Sequence, residues 1–294
     1  MAVARPEKRL YFSVLIPTLG RPAELRATLV SVLACRPAPD EVIVVDGDTT
    51  ARSAEAVAKE LGVTYLTSEP GLTRQRNVGL EQSTGDVVVF ADDDIRLDTS
   101  VFAVLAEGYG EPDVVGATVR VVEPEGERVG GPRSPLRRVV LRGSEGAFTR
   151  FGYPRYLGSA DRPREVEYMQ GCFMTARRES ALEIGFDEHL TGYALAEDED
   201  FSYRLSRLGR IRYLPQATVV HLKTGFTTRD ERVFGRAVVR NRAYLFRKNF
   251  RRTPLARVQF GFLVAGLVAH RVVNREWQGA LGLAEGAWEA LRRR

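Results

Sequence analysis

Three consecutive aspartates, Asp92 to Asp94, follow directly on the apolar run from Val87 to Ala91. Neighbouring carboxylates repel one another, and the formation of a strand does not require them. Carboxylate oxygens are the ligands that Mg²⁺ and Mn²⁺ take in proteins, where water and substrate phosphates complete the coordination shell. A solvated acidic turn is the structural alternative. Because the triplet ends a predicted strand, its position favours a divalent-cation site.

A second acidic cluster runs from Glu197 to Asp200, just before a helical pattern formed by Tyr203, Leu205 and Leu208. Acidic residues at the start of a helix are stabilised by the helix dipole, which is the structural interpretation. The chemical interpretation is a general base that removes a proton from a nucleophilic hydroxyl, with its pKa tuned by the neighbouring acids.

His221 ends the strand-like run "ATVVHL". A single histidine at a strand end fits a structural role. It also fits a metal site, because imidazole is an acceptable ligand for Mn²⁺ and a poorer one for Mg²⁺.

These residues lie in a chain that alternates strand and helix patterns. The strand-like runs "YFSVLIP", "DEVIVVDGD", "VTYLTS" and "DVVVFADDD" are separated by the helix-like segments "RPAELRATLVSVLAC", "ARSAEAVAKELG" and "LTRQRNVGLEQSTG". Continuous apolar strands joined by helices predict an α/β fold, with a mainly parallel sheet flanked by helices. Ligands of such sheets bind beyond the carboxyl ends of the strands. The predicted strands end in Pro17-Thr18, Asp46-Gly47-Asp48 and the aspartate triplet.

The pattern loosens over residues 124–165, which are rich in Gly, Pro and Arg. A loop of this length is typically functional or mobile, so it can close over a substrate or remain a solvated loop. Four of its arginines could meet a phosphate-bearing acceptor: Arg133, Arg137, Arg138 and Arg142.

Composition sets the broad class. The chain has 294 residues, 44% hydrophobic and 28% charged, which is enough for one large or two small domains with real cores. Two cysteines are too few for a disulfide framework, so a reducing cytosol is expected. The first residues show neither an apolar signal region nor a cleavage site, so we expect no secretion signal.

Four ordered stretches between about residues 11 and 222 resemble glycosyltransferase family 2, whose members have the GT-A fold. They are "VLIPTLGRPAELRATLVSVL", "DEVIVVDGDT", "GLTRQRNVGLEQSTGDVVVFADDDIRLD" and "MQGCFMTARRESALEIGFDEHLTGYALAEDEDFSYRLSRLG". Each stretch alone is a weak signal, and the ordered set is specific. The resemblance implies a GT-A catalytic domain over 1–222, with a nucleotide-sugar half at 1–122 and an acceptor half at 123–222.

The resemblance also implies an activity. It is the metal-dependent, inverting transfer of a sugar from a nucleotide-diphosphate sugar to a hydroxyl acceptor, in cell-surface polysaccharide or glycolipid synthesis. The implied cofactor is Mn²⁺ or Mg²⁺.

Roles at the donor site follow residue by residue from the resemblance. Pro17 and Thr18 line the nucleotide pocket, and Asp46 or Asp48 contacts the base. The donor-side residues of the third helix are Arg74, Arg76 and Asn77. Many relatives have two adjacent acids after the second strand, whereas Gly47 occupies the second position here. The contact to the nucleotide base is therefore made by Asp48 or is missing.

The remaining implied roles concern the metal and the acceptor. Asp94 binds the metal directly, and Asp92 belongs to the same metal site. His221 contacts the metal or the diphosphate, and Asp93 or Asp92 faces the ribose. The acceptor-side residues are Gly171, Cys172 and Glu197. Asp198 is the implied catalytic base.

Residues 223–294 form a predicted basic, amphipathic helical tail. They hold 16 Lys and Arg against 5 Asp and Glu, a net charge of +11, whereas residues 1–222 carry −6. The ten apolar residues from Phe260 to Ala269 are too few to span a bilayer. A basic segment of this kind fits an anionic membrane surface and a lipid-linked acceptor, which predicts a cytoplasmic, peripheral location on the inner face of the plasma membrane.

Alternatives remain for the tail and for the reaction. The tail also fits a helix packed on the catalytic domain or a homodimer interface, whereas nucleic-acid binding lacks a supporting motif. A sugar-phosphate nucleotidyltransferase would favour a Gly-rich phosphate loop after the first strand, but "PTLGRP" holds one Gly and one Arg. A non-catalytic GT-A-like membrane scaffold is the third possibility, and intact Asp94 and Asp198 argue against it.

Overall fold

The computed structural model describes residues 9–124, 144–157, 160–191, 194–224 and 230–292. The arginines at 133, 137, 138 and 142 lie outside these residues. The first part of the chain follows the predicted alternation: β1 (Phe12–Thr18), α1 (Pro22–Leu33), β2 (Glu41–Asp46), α2 (Glu55–Glu60), β3 (Thr64–Thr67), α3 (Leu72–Gln82) and β4 (Val87–Ala91).

The second part of the sheet mixes strand directions. Its elements are β5 (Ile95–Leu97), α4 (Val101–Gly108), β6 (Val114–Val122), β7 (Arg164–Val166), β8 (Phe173–Arg177), α5 (Arg178–Ile184), α6 (Glu197–Leu205) and β9 (Arg210–His221). The strand order is β3-β2-β1-β4-β8-β6-β9-β5, with β7 pairing to β9. Pairing is parallel from β3 to β4 and between β6 and β9, and β8 runs antiparallel between its neighbours β4 and β6.

Two apolar clusters cover the two faces of this sheet. Side chains that follow one another in a strand point to opposite faces, so Val14 and Val89 belong to one cluster while Leu15 and Phe90 belong to the other. The central strands β1 and β4 are buried along their whole length, which explains why their sequences are continuously apolar. The predicted α/β class, with a mainly parallel sheet flanked by helices, is confirmed.

Three C-terminal helices follow the sheet: α7 (Glu231–Asn249), α8 (Pro254–Val273) and α9 (Trp277–Arg292). Asp230 caps the start of α7 by accepting hydrogen bonds from the backbone N–H groups of Arg232 and Val233. Thr253 caps α8, and Pro254 occupies its first turn, where a missing N–H is tolerated. The predicted C-terminal helical extension is confirmed.

Helix α7 packs both on the sheet-containing part of the chain, next to α6, and on α9. Asn241 donates to the carbonyl of Leu195, which lies just before α6. On the α9 side the backbones approach closely, because a Cβ on Gly282 would lie 2.1 Å from the carbonyl oxygen of Arg232. Among the described residues, α8 is the one helix long and apolar enough to cross a membrane. The ten apolar residues from Phe260 to Ala269 were predicted to be too few for a span, but they lie within a helix of 20 residues.

Candidate active site

The carboxyl ends of several strands meet at one edge of the sheet. β1 ends at Thr18, β2 at Asp46, and β4 at Ala91, immediately before the aspartate triplet. The antiparallel strand β8 begins at this same edge, since its Phe173 pairs with Ala91. The C-terminal residue of β9, His221, pairs with Ile95 directly after the triplet. The topology therefore gathers the predicted functional residues, as expected for a sheet of this kind.

Asp92, Asp94 and His221 form a cluster with the geometry of a cation site. One carboxylate oxygen of each aspartate and one imidazole nitrogen lie within 4.8 Å of one another. His221 Nε2 is 3.3 Å from Asp94 Oδ1, and Asp94 Oδ2 accepts a hydrogen bond from the backbone N–H of Thr224. Two carboxylate oxygens and one imidazole nitrogen suit Mn²⁺ better than Mg²⁺. The residues present therefore fit a divalent cation of this type.

Charge controls the protonation of this cluster. Burial raises the pKa of Asp94, but hydrogen bonds and charges from His221 and Arg21 outweigh it and hold that pKa at about 2. Burial lowers the pKa of His221, yet the hydrogen bond and charge of Asp94, together with the charge of Asp92, raise it above its ordinary value. Asp94 is thus a carboxylate at neutral pH, the form that binds a cation.

Asp93 is not part of the cation cluster and is held by residues at and after the end of β1. Its carboxylate accepts a hydrogen bond from Thr18 Oγ1 at 2.7 Å and pairs with Arg21 Nη1 at 2.8 Å. Arg21 also reaches Asp94 Oδ2 at 3.2 Å. Burial raises the pKa of Asp93 to about 6, against the opposing effects of Thr18 and Arg21. The structure thus separates the middle aspartate from its two neighbours.

Arg76 connects the aspartate triplet to the second acidic cluster. It lies on α3 with its side chain fully buried. One guanidinium nitrogen, Nη2, lies 3.0 Å from Asp92 Oδ1, and Nη1 lies 3.0 Å from Glu197 Oε1. Nη2 also donates to the carbonyl of Gly171, 2.8 Å away. A planar guanidinium with several fixed donors can hold these groups in one arrangement, which a lysine cannot do.

Gly171 and Cys172 form the backbone bridge between the two acidic clusters. The N–H of Gly171 donates to Asp198 Oδ2 at 3.1 Å, and the carbonyl of Cys172 accepts from the N–H of Asp92 at 3.0 Å. A Cβ on Gly171 would lie 3.0 Å from Glu197 Oε1 and 3.2 Å from Asp198 Cβ. A larger residue at this position would press against both carboxylate side chains.

Cationic side chains pair with three of the four acids from Glu197 to Asp200. Arg76 pairs with Glu197, Arg242 with Glu199 and Lys248 with Asp200. The Arg242 pair is bidentate, with distances of 2.6 and 2.7 Å. Burial raises the pKa of Glu199 to about 7 despite Arg242. Burial and the charge of Asp198 raise the pKa of Glu197 to about 8 despite Arg76.

Asp198 differs from these three neighbours. It is half-buried, whereas the others are buried, and in the described part of the chain it forms no ion pair with Lys, Arg or His. Tyr168 donates its hydroxyl to Asp198 Oδ2 at 2.7 Å, and the N–H of Glu199 donates to Oδ1 at 2.8 Å. Asp198 is therefore held in place by hydrogen bonds and is partly exposed to solvent.

The backbone before this acidic turn is strained. Ala194 and Ala196 have φ values of 47° and 70°, a region that residues with a Cβ rarely occupy. Such strain persists only where the surrounding structure holds it, and it concentrates at functional sites. Here it allows Glu197 to face Arg76 as the first residue of α6.

The remaining predicted donor residues lie around this edge. Pro17 is buried in β1, and Asp46 is fully buried with hydrogen bonds from Ala54 N and the Tyr65 hydroxyl. Asp48 is half-buried. On α3, Arg74 and Asn77 both contact Glu188. Their roles towards a nucleotide stay predictions.

Sequence reasoning missed three residues that hold this site: Arg21, Tyr168 and Arg242. The sequence could have identified Arg21, because this residue follows the carboxyl end of β1 in "PTLGRP". Tyr168 and Arg242 lie 30 and 43 residues from the acids that they contact, and no local pattern marks them.

Comparisons with known proteins identify similar sequences and similar folds. The family model described as "Glycosyl transferase family 2" matches residues 13–185. A protein of Haemophilus influenzae, described as an uncharacterized glycosyltransferase, is 34% identical over 84 residues. That alignment covers 28% of this chain and 29% of the relative, so the chain matches less than a third of that protein.

Solved structures share the fold. The mannosyltransferase PcManGT from Pyrobaculum calidifontis, in complex with GDP-Man and Mn²⁺, has a TM-score of 0.58 at 17% identity. That match covers 97% of this chain and 88% of the other. S. aureus TarS 1-349, in complex with UDP-GlcNAc, has a TM-score of 0.55 at 21% identity, over 80% of this chain and 66% of the other. The predicted GT-A fold is confirmed.

Proposed function

The chain belongs to glycosyl transferase family 2, and we propose that it transfers a sugar from a nucleotide-diphosphate sugar to a hydroxyl acceptor. The observation that carries the proposal is Asp198. Among the described residues, it is the one acid from Glu197 to Asp200 without a cationic partner. Hydrogen bonds through Gly171 and Arg76 connect it to Asp92 of the candidate cation site. A free carboxylate beside a diphosphate site fits proton removal from an acceptor hydroxyl.

In this proposal the donor lies at the carboxyl edge of the sheet. Asp92, Asp94 and His221 would hold a divalent cation, which when bound neutralises diphosphate charge and stabilises the leaving group. Arg76 fixes Asp92, while Thr18 and Arg21 fix Asp93 at the ribose side. For the base contact we favour Asp48 over Asp46, because Asp46 is fully buried and hydrogen-bonded within the protein.

The reaction is a single displacement. Asp198 accepts the proton of the acceptor hydroxyl, and the resulting oxygen forms a bond to the anomeric carbon from the face opposite the diphosphate. The bond between that carbon and the diphosphate oxygen breaks, and the nucleoside diphosphate leaves with the electron pair. The anomeric configuration inverts, and no covalent enzyme intermediate forms. Gly171, Cys172 and Glu197 lie on the acceptor side of the donor sugar in this arrangement.

The acceptor is a hydroxyl of a cell-surface polysaccharide or glycolipid in this proposal, and the reaction takes place on the cytoplasmic side. The relatives in complex with GDP-Man and with UDP-GlcNAc carry different bases and sugars, so donors of both classes belong in the first screen.

The test is Asp198→Asn, which keeps the size of the side chain and removes the basic carboxylate. Turnover is measured as nucleoside diphosphate released from a panel of nucleotide sugars with Mn²⁺, and donor affinity by calorimetry. We expect turnover to fall about 10²- to 10⁴-fold while donor affinity stays within a few-fold. The matched control is Asp161→Asn, the same change at a carboxylate that is 79% exposed. Near-normal turnover of Asp198→Asn would remove Asp198 from the mechanism.

A further inference from the structure

The outer faces of α8 and α9 are apolar and exposed. Fifteen large apolar side chains are exposed among the described residues, and nine of them lie in these two helices. The nine are Leu255, Val258, Phe262, Val272, Val273, Trp277, Leu281, Trp288 and Leu291. Surface helices of soluble proteins normally turn polar residues outward. A concentration of exposed apolar side chains of this kind marks a surface that binds a partner.

The spacing of these residues puts them on one face of each helix. Leu255, Val258 and Phe262 are three and four residues apart, which is the helical repeat. Trp277 and Leu281 are four residues apart, and Trp288 and Leu291 continue the same face of α9. The opposite face of α9 is buried at its glycines and at Leu283.

Helix α8 is mostly exposed but is attached to α7 near both of its ends, which favours a position in the plane of a membrane over a transmembrane span. Ala256 is buried, and Phe260 stacks on Phe246 of α7 with ring centroids 5.1 Å apart. Near the other end of α8, Arg271 Nη1 lies 2.9 Å from Glu231 Oε2 at the start of α7. A helix that is attached to the protein at both ends, and exposed on the opposite side, can lie parallel to the membrane surface. Its exposed face would then be directed towards the acyl chains.

Charge decides between a lipid surface and a second copy of the chain. Residues 223–294 carry a net charge of +11, of which Arg242 and Lys248 are paired with Glu199 and Asp200 on α6. The exposed arginines beside α8 lie next to this face, so two copies joined through it would bring like charges together. An anionic lipid surface has the complementary charge. Exposed arginines stand at both ends of α8, at Arg251, Arg252, Arg257 and Arg275. Exposed Trp277 and Trp288 are residues that favour the membrane–water interface.

We propose that the outer faces of α8 and α9 bind an anionic lipid bilayer in the plane of its interface. Apolar side chains enter the boundary between headgroups and acyl chains, and the arginines contact the anionic headgroups. The inference rests on this surface alone and holds whichever donor and acceptor the catalytic domain uses.

The experiment is sedimentation of the purified full-length protein with vesicles. Vesicles of phosphatidylcholine alone are compared with vesicles in which a quarter of the lipid is phosphatidylglycerol, at salt concentrations of about 0.05 and 0.5 M. We expect binding to the anionic vesicles at low salt and weaker binding at high salt. Wild type that fails to bind anionic vesicles, or binds both kinds equally at both salts, would overturn the proposal.

A matched pair of variants tests the face itself. Val258 is 55% exposed on α8 and Val30 is 53% exposed on α1, so Val258→Asp and Val30→Asp disturb core packing equally little. We expect Val258→Asp to weaken anionic-vesicle binding about tenfold and Val30→Asp to leave it unchanged. The variant Phe262→Asp, at a side chain that is 65% exposed, should reproduce the loss. Thermal unfolding of all three checks that they fold, and equal losses in both Val variants contradict the proposal.

Two further measurements distinguish in-plane lipid binding from the two alternatives, a second copy of the chain on this face and a transmembrane α8. Analytical ultracentrifugation without lipid should give a monomer; a dimer that Val258→Asp dissociates would show that a second copy covers the face. Alkaline carbonate should release the protein from membranes, and retention would show that α8 spans the bilayer. Either of those results overturns in-plane binding.

Discussion

Replacing Arg242 with methionine is expected to destabilise the protein by an amount that grows with pH. Arg242 lies on α7 and makes the bidentate pair with Glu199 on α6, one residue from the proposed base. Its guanidinium also lies 4.6 Å from the ring centroid of Tyr153. Methionine keeps much of the apolar stem and removes the charge and the hydrogen-bond donors. The pair thus links the C-terminal helices to the first turn of α6, which contains Asp198 and Glu199.

The wild-type pH dependence sets the reference. In the folded protein the pKa of Glu199 is about 7, against an ordinary value of 4.5 in the unfolded chain. Between these values the folded state keeps a proton that the unfolded state has lost, so stability falls as pH rises. The contribution is fully present below about pH 4.5 and lost above about pH 7, and it amounts to about 3 kcal/mol.

Removing Arg242 extends that loss to higher pH. Without the opposing cation, burial raises the pKa of Glu199 beyond 7, so the Glu199 contribution continues to fall in the variant at pH values where it has levelled off in the wild type. Below neutral pH both proteins hold a protonated Glu199, and the substitution costs about 1–2 kcal/mol in lost hydrogen bonds. Above neutral pH the cost increases by up to about 1.4 kcal/mol per pH unit. At about pH 8.5 it therefore reaches about 3–4 kcal/mol, within the range for breaking a buried pair.

The assay is urea unfolding of the full chain at about pH 6 and about pH 8.5, at constant ionic strength. The matched control is Arg232→Met on the same helix, which removes a solvent-exposed pair with Glu285 and should change stability little at either pH. Adding Glu199→Gln to Arg242→Met should abolish the pH-dependent part of the cost. An equal cost of Arg242→Met at both pH values, or an equal effect of Arg232→Met, would refute the reasoning.

Two further substitutions test the edge of the sheet. Asp94→Asn should weaken Mn²⁺ binding to the donor-free protein at least about tenfold, because it removes a charged side chain of the cluster. The affinity is measured by electron paramagnetic resonance, and an unchanged affinity would place the cation elsewhere. Gly171→Ala should lower turnover about ten- to hundredfold, because the new Cβ lies 3.0 Å from Glu197 Oε1 and 3.2 Å from Asp198 Cβ and would displace these side chains. The free energy of unfolding should change by about 1–2 kcal/mol. Wild-type turnover in that variant would show that the carboxylates tolerate displacement.

The sequence alone determined the elements and the chemistry that they carry. Continuous apolar runs separated by helical patterns predicted β1 to β4 and the helices between them, because hydrophobic periodicity is a local property. The position of Asp92 to Asp94 at the end of such a run predicted a cation site. His221, more than 120 residues further on, could be offered as a ligand only as one of two alternatives.

The tertiary structure decided how those residues are used. The acids from Glu197 to Asp200 look equivalent in sequence, and they differ because Arg76, Arg242 and Lys248 reach three of them from distant elements. The antiparallel insertion of β8, which brings Gly171 between the two acidic clusters, likewise has no local signal. Local pattern specifies elements, whereas burial and ion pairing depend on which elements the chain brings together. Only the folded protein therefore shows that, among the described residues, no Lys, Arg or His pairs with Asp198.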